Sequence, residues 1–366
     1  MPGRSIASMN PARAAPSPVP PTVPAPVPAP AALRRRTLLA GAALGLAGAG
    51  CRERPGAPFT IRWSHVVAED TPKGLAAERF RALVQERSGG RIAVAVHPEA
   101  RLYSDHDEMQ ALQLGAVEML APSLSKFGRT GFPEFELFDL PCLFPDVASV
   151  RRITQGRLGQ RLLQGLQRQR MVGLGFMDNG FKHMSANRPL LEPADFAGQR
   201  LRIQASQVLA MQMRALGAQP VALAFSETRQ ALAAGVVDGT ENPLSNFWTQ
   251  GMHEVQTDLT LTQHGYLGYA VVVGQRFWVS LTTADRTLVR QALHEAMDFG
   301  NRIADTQNDK ALAALRGFAG TRIHVPTAAQ KAGLRAAVQG VHEGLARRIG
   351  AEWLDSLRDQ LAQLAG

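Results

Sequence analysis

The chain has 366 residues, 45% of them hydrophobic and 19% charged, the balance of a water-soluble globular protein. Its formal net charge of +9 invites a nucleic-acid reading, but residues 1–50 hold five arginines and no acidic residue, so the remainder carries 35 basic residues against 31 acidic ones. The strongest basic run, Arg34-Arg35-Arg36, lies in that leader, and no basic stripe with interleaved aromatics follows, which argues against a nucleic-acid partner. There are two cysteines: if Cys51 is lipidated or lost, Cys142 is a lone thiol without a disulfide framework, and its setting in Leu140-Pro-Cys-Leu-Phe144 reads as a buried inert thiol.

In chain order, residues 11–32 are almost entirely Pro, Ala and Val, an extended leader with no core to bury. Leu33-Arg-Arg-Arg-Thr-Leu-Leu39 and the small apolar run to Gly50 form a basic segment plus an apolar segment too short to span a bilayer. Arg35-Arg36-Thr-Leu-Leu resembles a twin-arginine export signal, although three arginines also suit the general route. Gly48-Ala-Gly-Cys51 resembles a lipoprotein cleavage site, with Gly48 where a large aliphatic residue is usual; a plain cleaved signal is the alternative. Either route puts the mature protein outside the cytoplasmic membrane, in the periplasm.

Roughly 310 residues remain, enough for two lobes. Phe59–His65 alternates as a strand, Thr71-Pro-Lys-Gly74 opens a helix to about Arg87, and Arg91–His97 is the next strand. A helix from about Asp105 to Leu114 leads to the strand Val117–Ala121. This order predicts parallel pairing, with ligands at the carboxyl ends of the strands, where His65, Pro122, Ser123 and Lys126 fall. Phe135–Phe144 reads as packing, followed by one helix near Ala148–Arg168 and a short strand at Met171–Phe176. A helix near Val208–Leu216, a strand at Pro220–Ala222 and a helix over Ser226–Ala234 build the second lobe, and Leu267–Val273 returns as a strand to the first. From Thr283 to about Leu315 helical spacing continues without proline, giving a helix ~50 Å long that can brace two lobes. The tail from Ala328 is amphipathic helix. The fold class expected is α/β, two-lobed, with crossing strands. The boundaries expected are a leader over 1–51, lobe I over 58–179 plus 268–307, and lobe II over 180–267 plus 308–366.

The chemistry of catalysis has no constellation here: no G-x-S-x-G elbow, H-E-x-x-H or phosphate loop occurs, and Gly173-Leu-Gly175 lacks the third glycine of a dinucleotide fingerprint. No metal or other cofactor is expected. What remains are cations, hydroxyls, an amide and aromatics at strand ends. Lys182 and Arg202 each sit at the edge of a short apolar run, and Asn242 opens a loop beyond a third strand, so the three can converge on a small anion. A guanidinium grips a carboxylate through two parallel bonds, which lysine cannot copy. Arg202 could instead be a surface ion-pair residue, the commoner fate of arginine, and Lys182 could simply be solvated. His65 could be a hydrogen-bonded core histidine and Phe225 plain core, while Glu241 and His264 could form a buried pair that orients Arg202.

Eleven ordered segments carry a family resemblance: Ser64-His-Val-Val, Thr71-Pro-Lys-Gly, Gly115-Ala-Val-Glu-Met, Ala121-Pro-Ser-Leu-Ser-Lys-Phe-Gly128, Phe138-Asp-Leu-Pro, Asp178-Asn-Gly-Phe-Lys, Met184-Ser-Ala-Asn-Arg-Pro-Leu190, Arg202-Ile-Gln-Ala-Ser, Ala224-Phe-Ser-Glu, Val236-Val-Asp-Gly-Thr-Glu-Asn-Pro and His264-Gly-Tyr-Leu-Gly-Tyr269. Across residues 59–320 the chain resembles the solute-binding proteins of tripartite ATP-independent periplasmic (TRAP) transporters, of the C4-dicarboxylate (DctP) type. The resemblance implies two lobes closing over an organic acid that is passed to TRAP membrane permease subunits, with a monomer expected. It implies that Arg202 pairs with the ligand carboxylate, Asn242 adds a hydrogen bond, Lys182 supplies a second cation and Phe225 packs over the ligand. It also implies contacts from His65, Ser123 and Lys126, with Lys126 or Lys73 meeting a second carboxylate. A hydroxy-, keto- or sugar acid is the alternative ligand, and a sensor the alternative recipient.

Overall fold

A computed structural model describes residues 58–365. The expectations for the export signal and Cys51 fall outside these residues. In chain order the elements are β1 (Phe59–Ser64), α1 (Pro72–Arg87), β2 (Ile92–His97), α2 (Glu108–Leu114), β3 (Met119–Leu120), α3 (Val147–Gln155), α4 (Arg157–Gly165), β4 (Met171–Ala186), β5 (Arg200–Ile203), α5 (Gln207–Ala215) and β6 (Gln219–Ala222). They continue with α6 (Thr228–Ala233), β7 (Gly239–Asn242), α7 (Leu244–Thr249), β8 (Asp258–Gly274), α8 (Gln275–Ser280), α9 (Thr283–Gly317), β9 (Arg322–His324), α10 (Ala328–Val338), α11 (Gly340–Ile349) and α12 (Ala351–Ala365).

The described strands form one sheet in the order β2-β1-β3-β8-β4-β7-β5-β6, with β9 beside β8. Its two ends are parallel, β1 with β2 and β3 on one side and β5 with β6 and β7 on the other, as strand–helix–strand order dictates. The middle is antiparallel: β4 and β8 pair along nearly their whole length, from Met171↔Gly274 to Ala186↔Asp258. These two strands therefore belong to both halves and join them. Their register slips between Gly173 and Gly175, Asp178 and Gly180, and Lys182 and Met184, irregularities that let a long ladder bend without breaking.

Two segments that sequence periodicity splits are continuous in space. The strand expected at Met171–Phe176 runs on to Ala186, straight through Asp178-Asn-Gly180, which reads as a turn. Lys182 is therefore in the interior of a strand and not at the end of one. The strand expected at Leu267–Val273 begins nine residues earlier, at Asp258. Conversely, the single helix expected near Ala148–Arg168 is two, α3 and α4, because Gly156 is extended (φ −84°, ψ −168°). The helix expected from Asp105 starts at Glu108, and that expected at Ser226–Ala234 opens as a 3-10 turn over Phe225–Glu227 before α6.

α9 is one unbroken helix of 35 residues, capped by Thr282, whose side chain accepts the Asp285 amide. Its first half, Val289 to Met297, packs into the cluster built on Ile61, Trp63 and Phe80; its last turns, Ala311 and Leu315, enter a second cluster with Phe225, Val237 and Phe247. The helix thus buries its apolar stripe against both halves, which is how it braces them. A third cluster covers the other face, centred on the stretch expected to be packing: Phe127 and Phe135 stack at 4.4 Å between centroids, and Leu201, Ile203 and Val208 join them.

Where β4 passes α9, Asn308 pins the crossing: its Nδ2 donates to the Asn179 carbonyl at 2.7 Å and its Oδ1 accepts from the Ser245 amide at 3.0 Å. Gly180 at this point has φ +143°, and an added Cβ would lie 2.8 Å from Asn308 Nδ2. Gly180→Ala is expected to cost roughly 1–3 kcal/mol through backbone strain and the loss of these bonds. Thermal unfolding checks it, with a fall in Tm of about 2–4 °C per kcal/mol; an unchanged Tm would show that the crossing tolerates a side chain.

Candidate functional site

β5 places Arg202 in the interior, 1% exposed, with Thr240 of β7 as its register neighbour. Its Nε and Nη2 both donate to the Leu223 carbonyl, at 3.1 and 2.9 Å, while Nη1 is buried with no partner. Burial pulls the guanidinium pKa down, opposed by the charges of Asp105, Glu241 and Glu227. A buried N–H of a charged group with nothing to donate to is costly. The Phe225 ring lies beside this guanidinium, 5.7 Å from its carbon.

His65, directly after β1, is 1% exposed, and neither ring nitrogen has a partner. Burial and then the charge of Lys73 hold its pKa down near 3, so the ring is neutral and offers one donor and one acceptor. Lys73, in the first turn of α1, is as deeply buried; its Nζ donates to the Ala121 carbonyl at 3.0 Å and lies 3.8 Å from the centre of the Tyr269 ring. Burial and the charge of Lys126 pull its pKa down to about 7, despite Glu108 and Asp105. Tyr269 belongs to a buried polar chain in which Asn179 Nδ2 donates to the Tyr269 hydroxyl at 2.7 Å and to Asn246 at 2.9 Å.

The remaining expected residues are held by the protein itself. Lys126 Nζ donates to Asp105 and, at 2.7 Å, to Glu108, which raises the pKa of its ammonium group despite burial. Lys182 is fully buried, with Nζ 2.8 Å from Glu241 and 4.0 Å from Asp139. The other Glu241 oxygen is 2.8 Å from His264 Nε2, and His264 Nδ1 is 2.7 Å from Thr262 Oγ1. Burial opposes the Glu241 charge, but Lys182 and His264 outweigh it and hold that carboxyl at about 2. Asn242 Nδ2 donates to Thr240 Oγ1 at 3.3 Å and approaches the Met252 sulfur at 3.4 Å. Ser123 donates to Gln204 Oε1.

The structure thus places Arg202 beside Phe225, with Glu241 and Asn242 on the adjoining β7, and His65, Lys73, Ser123 and Lys126 near the ends of β1 and β3. A cavity of about 190 Å³ is lined by Asp105, Lys126, Arg129, Gln204 and Ala222–Ala224, so that Lys126 alone of the expected residues faces it, beside two further polar residues, Asp105 and Gln204. Gln204 follows Arg202 by two, the period that keeps side chains on one face of a strand, so the sequence carries that signal. Asp105 lies in the polar turn before α2, where nothing in the pattern singles it out. A larger groove of about 810 Å³ lies elsewhere, between Pro141–Leu143 and α10, and holds none of these charges. It contains Cys142, whose thiol pKa burial pushes up, against the pull of Arg335. Among the described residues no cluster of three or more His, Cys, Asp or Glu side chains could hold a metal ion.

This arrangement has known counterparts. The family model of bacterial extracellular solute-binding proteins, family 7 (DctP), matches residues 63–348. The C4-dicarboxylate-binding periplasmic protein DctP of Rhodobacter capsulatus is 49% identical over 306 residues, 84% of this chain and 92% of that protein. Among solved structures, a TRAP periplasmic solute-binding protein of Shewanella oneidensis with bound succinate superposes with a TM-score of 0.81 at 38% identity, over 83% of this chain and all of that one. One from Pseudomonas aeruginosa with bound L-malate gives 0.76 at 36% identity, over 78% of this chain and all of that one. With the family model spanning most of the chain and a relative at this identity, the chain belongs to the DctP family of bacterial extracellular solute-binding proteins.

Proposed function

We propose that this protein captures a C4-dicarboxylate such as succinate, malate or fumarate outside the cytoplasmic membrane and delivers it, unaltered, to a TRAP membrane permease. The observation that carries this reading is the buried Arg202 guanidinium with its unpartnered Nη1. An anion in the cleft satisfies that donor, and the relatives that hold succinate and L-malate share the fold. In this reading one ligand carboxylate meets Arg202, with Asn242 beside it and Phe225 packed against the guanidinium. The second meets Lys73 and the free His65 nitrogens across the cleft, with Ser123 at its edge. Lys126 and Lys182 act from behind, the first through Asp105 and Glu108, the second through Glu241.

Lobe I comprises residues 58–179 plus 268–307, and lobe II the described residues 180–267 plus 308–365. Support comes from β4, β8 and α9, the three elements shared by the two halves of the sheet. Ligand binding shifts an equilibrium between open and closed arrangements about these crossings. The protein acts as an exported monomer. The exposed large apolar side chains among the described residues, Leu102, Leu114, Val236, Val279 and Val325, are scattered along the chain, as expected of a surface that needs no second copy.

Arg202→Ala removes the anchor and is expected to weaken succinate binding by about 2–5 kcal/mol, a rise in Kd of at least about 30-fold. Calorimetry on the mature protein checks it, and near-wild-type affinity would reject the assigned site. Stabilisation by sugar acids alone in a thermal-shift screen would move the ligand to another class of organic acid.

The depressed Lys73 pKa predicts a pH dependence. A bound dianion raises that pKa above its free value of about 7, so binding takes up protons near neutrality. Affinity is therefore expected to fall as pH rises from 6 to 8, by up to about tenfold per unit above the free pKa. Titration calorimetry across this range measures the slope. Lys73→Met should bind more weakly and without the slope; a variant that keeps the slope assigns the proton elsewhere.

A further inference from the structure

Asp105 makes no ligand contact in the binding assigned above, and a carboxylate beside an anion site repels the ligand, so its presence calls for another use. It stands in the turn before α2 with its side chain 10% exposed. One oxygen accepts from Lys126, which also holds Glu108. The other accepts the backbone N–H of Phe225 at 2.6 Å, from a residue 120 positions away at the end of the opposite half of the sheet. Both oxygens are thus taken by protein donors, one on each side of the cleft.

The place where Asp105 lands matters as much as the bond. Leu223-Ala-Phe225 is a three-residue turn whose first carbonyl carries the two Arg202 bonds and whose last amide carries Asp105. The anchor for the ligand and the bond across the cleft therefore act on the same short segment. A second bond across the cleft, from Ser123 to Gln204, closes beside it. Burial opposes the charge of Asp105, but Lys126 and Arg202 outweigh it and lower its pKa, so the bond to the Phe225 amide is charge-assisted.

We propose that Asp105 is a positioning residue that latches the closed cleft: it ties the Lys126 side to the Leu223–Phe225 turn and seats Phe225 against Arg202 without touching the ligand. This rests on the assignment of the cleft as the acid-binding site. A residue that acts only on closure alters the apparent affinity of every ligand by one factor, the change in the population of the competent state. A residue that touches ligand discriminates among ligands.

The test is Asp105→Asn, which keeps the size and removes the charge, measured with succinate, L-malate and fumarate by calorimetry and stopped-flow dissociation. All three affinities are expected to fall by the same factor, roughly tenfold, or ~1.4 kcal/mol, through faster dissociation. A loss confined to malate would make Asp105 a contact to the ligand hydroxyl and overturn the latch. Tighter binding would make it a simple repulsive charge, and unchanged binding a bystander; both overturn it. Hydrogen exchange at the Phe225 amide needs no ligand and is expected to quicken in the variant, whereas unchanged exchange rejects the bond. A wild type that binds none of the acids, paired with faster Phe225 exchange in the variant, keeps the latch and sinks the ligand class. Asp105→Glu, which restores the charge, is expected to recover part of the affinity, a readout that general destabilisation would not give.

Discussion

A guanidinium taken out of water must be satisfied, and the arrangement of this cleft follows from how Arg202 is satisfied only in part. Two of its N–H groups go to the Leu223 carbonyl, which fixes the plane of the fork, and Nη1 has no protein partner. Keeping such a charge buried requires counter-charge nearby. Asp105 and then Glu241 provide it, and Glu241 is itself held between Lys182 and His264. The two cations and the histidine thus form one buried electrostatic network, balanced by protein partners in place of water.

The same logic separates two kinds of lysine. Lys126 and Lys182 have carboxylate partners within hydrogen-bond distance and are parts of the frame. Lys73 has a carbonyl and an aromatic ring, no carboxylate of its own, and a proton held loosely enough to respond near neutral pH. Charge alone does not distinguish them; their partners do. The sheet makes the distinction possible, because β4 and β8 run through its middle while β1, β3 and β5 lie in its parallel ends, with His65, Ser123 and Gln204 just past their carboxyl ends.

Much of this was legible in the amino-acid sequence where local rules govern. Thr71-Pro72 marks the start of α1, helical spacing gives α9 nearly its full length, and the apolar setting of Phe135–Phe144 announces packing. Arg202 and Phe225 do meet, and Glu241 and His264 do form a buried pair, whereas the Asn242 amide is turned to Thr240 and Met252. What the pattern could not give is the continuity of β4 through Asp178-Asn-Gly180, because those polar residues are satisfied by Asn246, Tyr269, Arg151 and Asn308, all distant in sequence. The commitment of Lys182 to Glu241 was hidden for the same reason: it depends on pairing between β4 and β7, not on anything within either strand. Asp105 was invisible because a turn residue has no periodicity to betray its direction.

The sharing of β4 and β8 between halves also bears on how the chain is made. β3 pairs with β8 through Met119↔Val273, roughly 150 residues apart, and β8 is what connects β3 to β4. Until residue 274 has been synthesised, the strands β2-β1-β3 have an open edge and β4 has no place beside them. The N-terminal half of a nascent chain can pair β1 with β2 and β3 but cannot close its own sheet, and the β3 edge stays open. That delay exposes the chain to aggregation for as long as most of its length is still being translated.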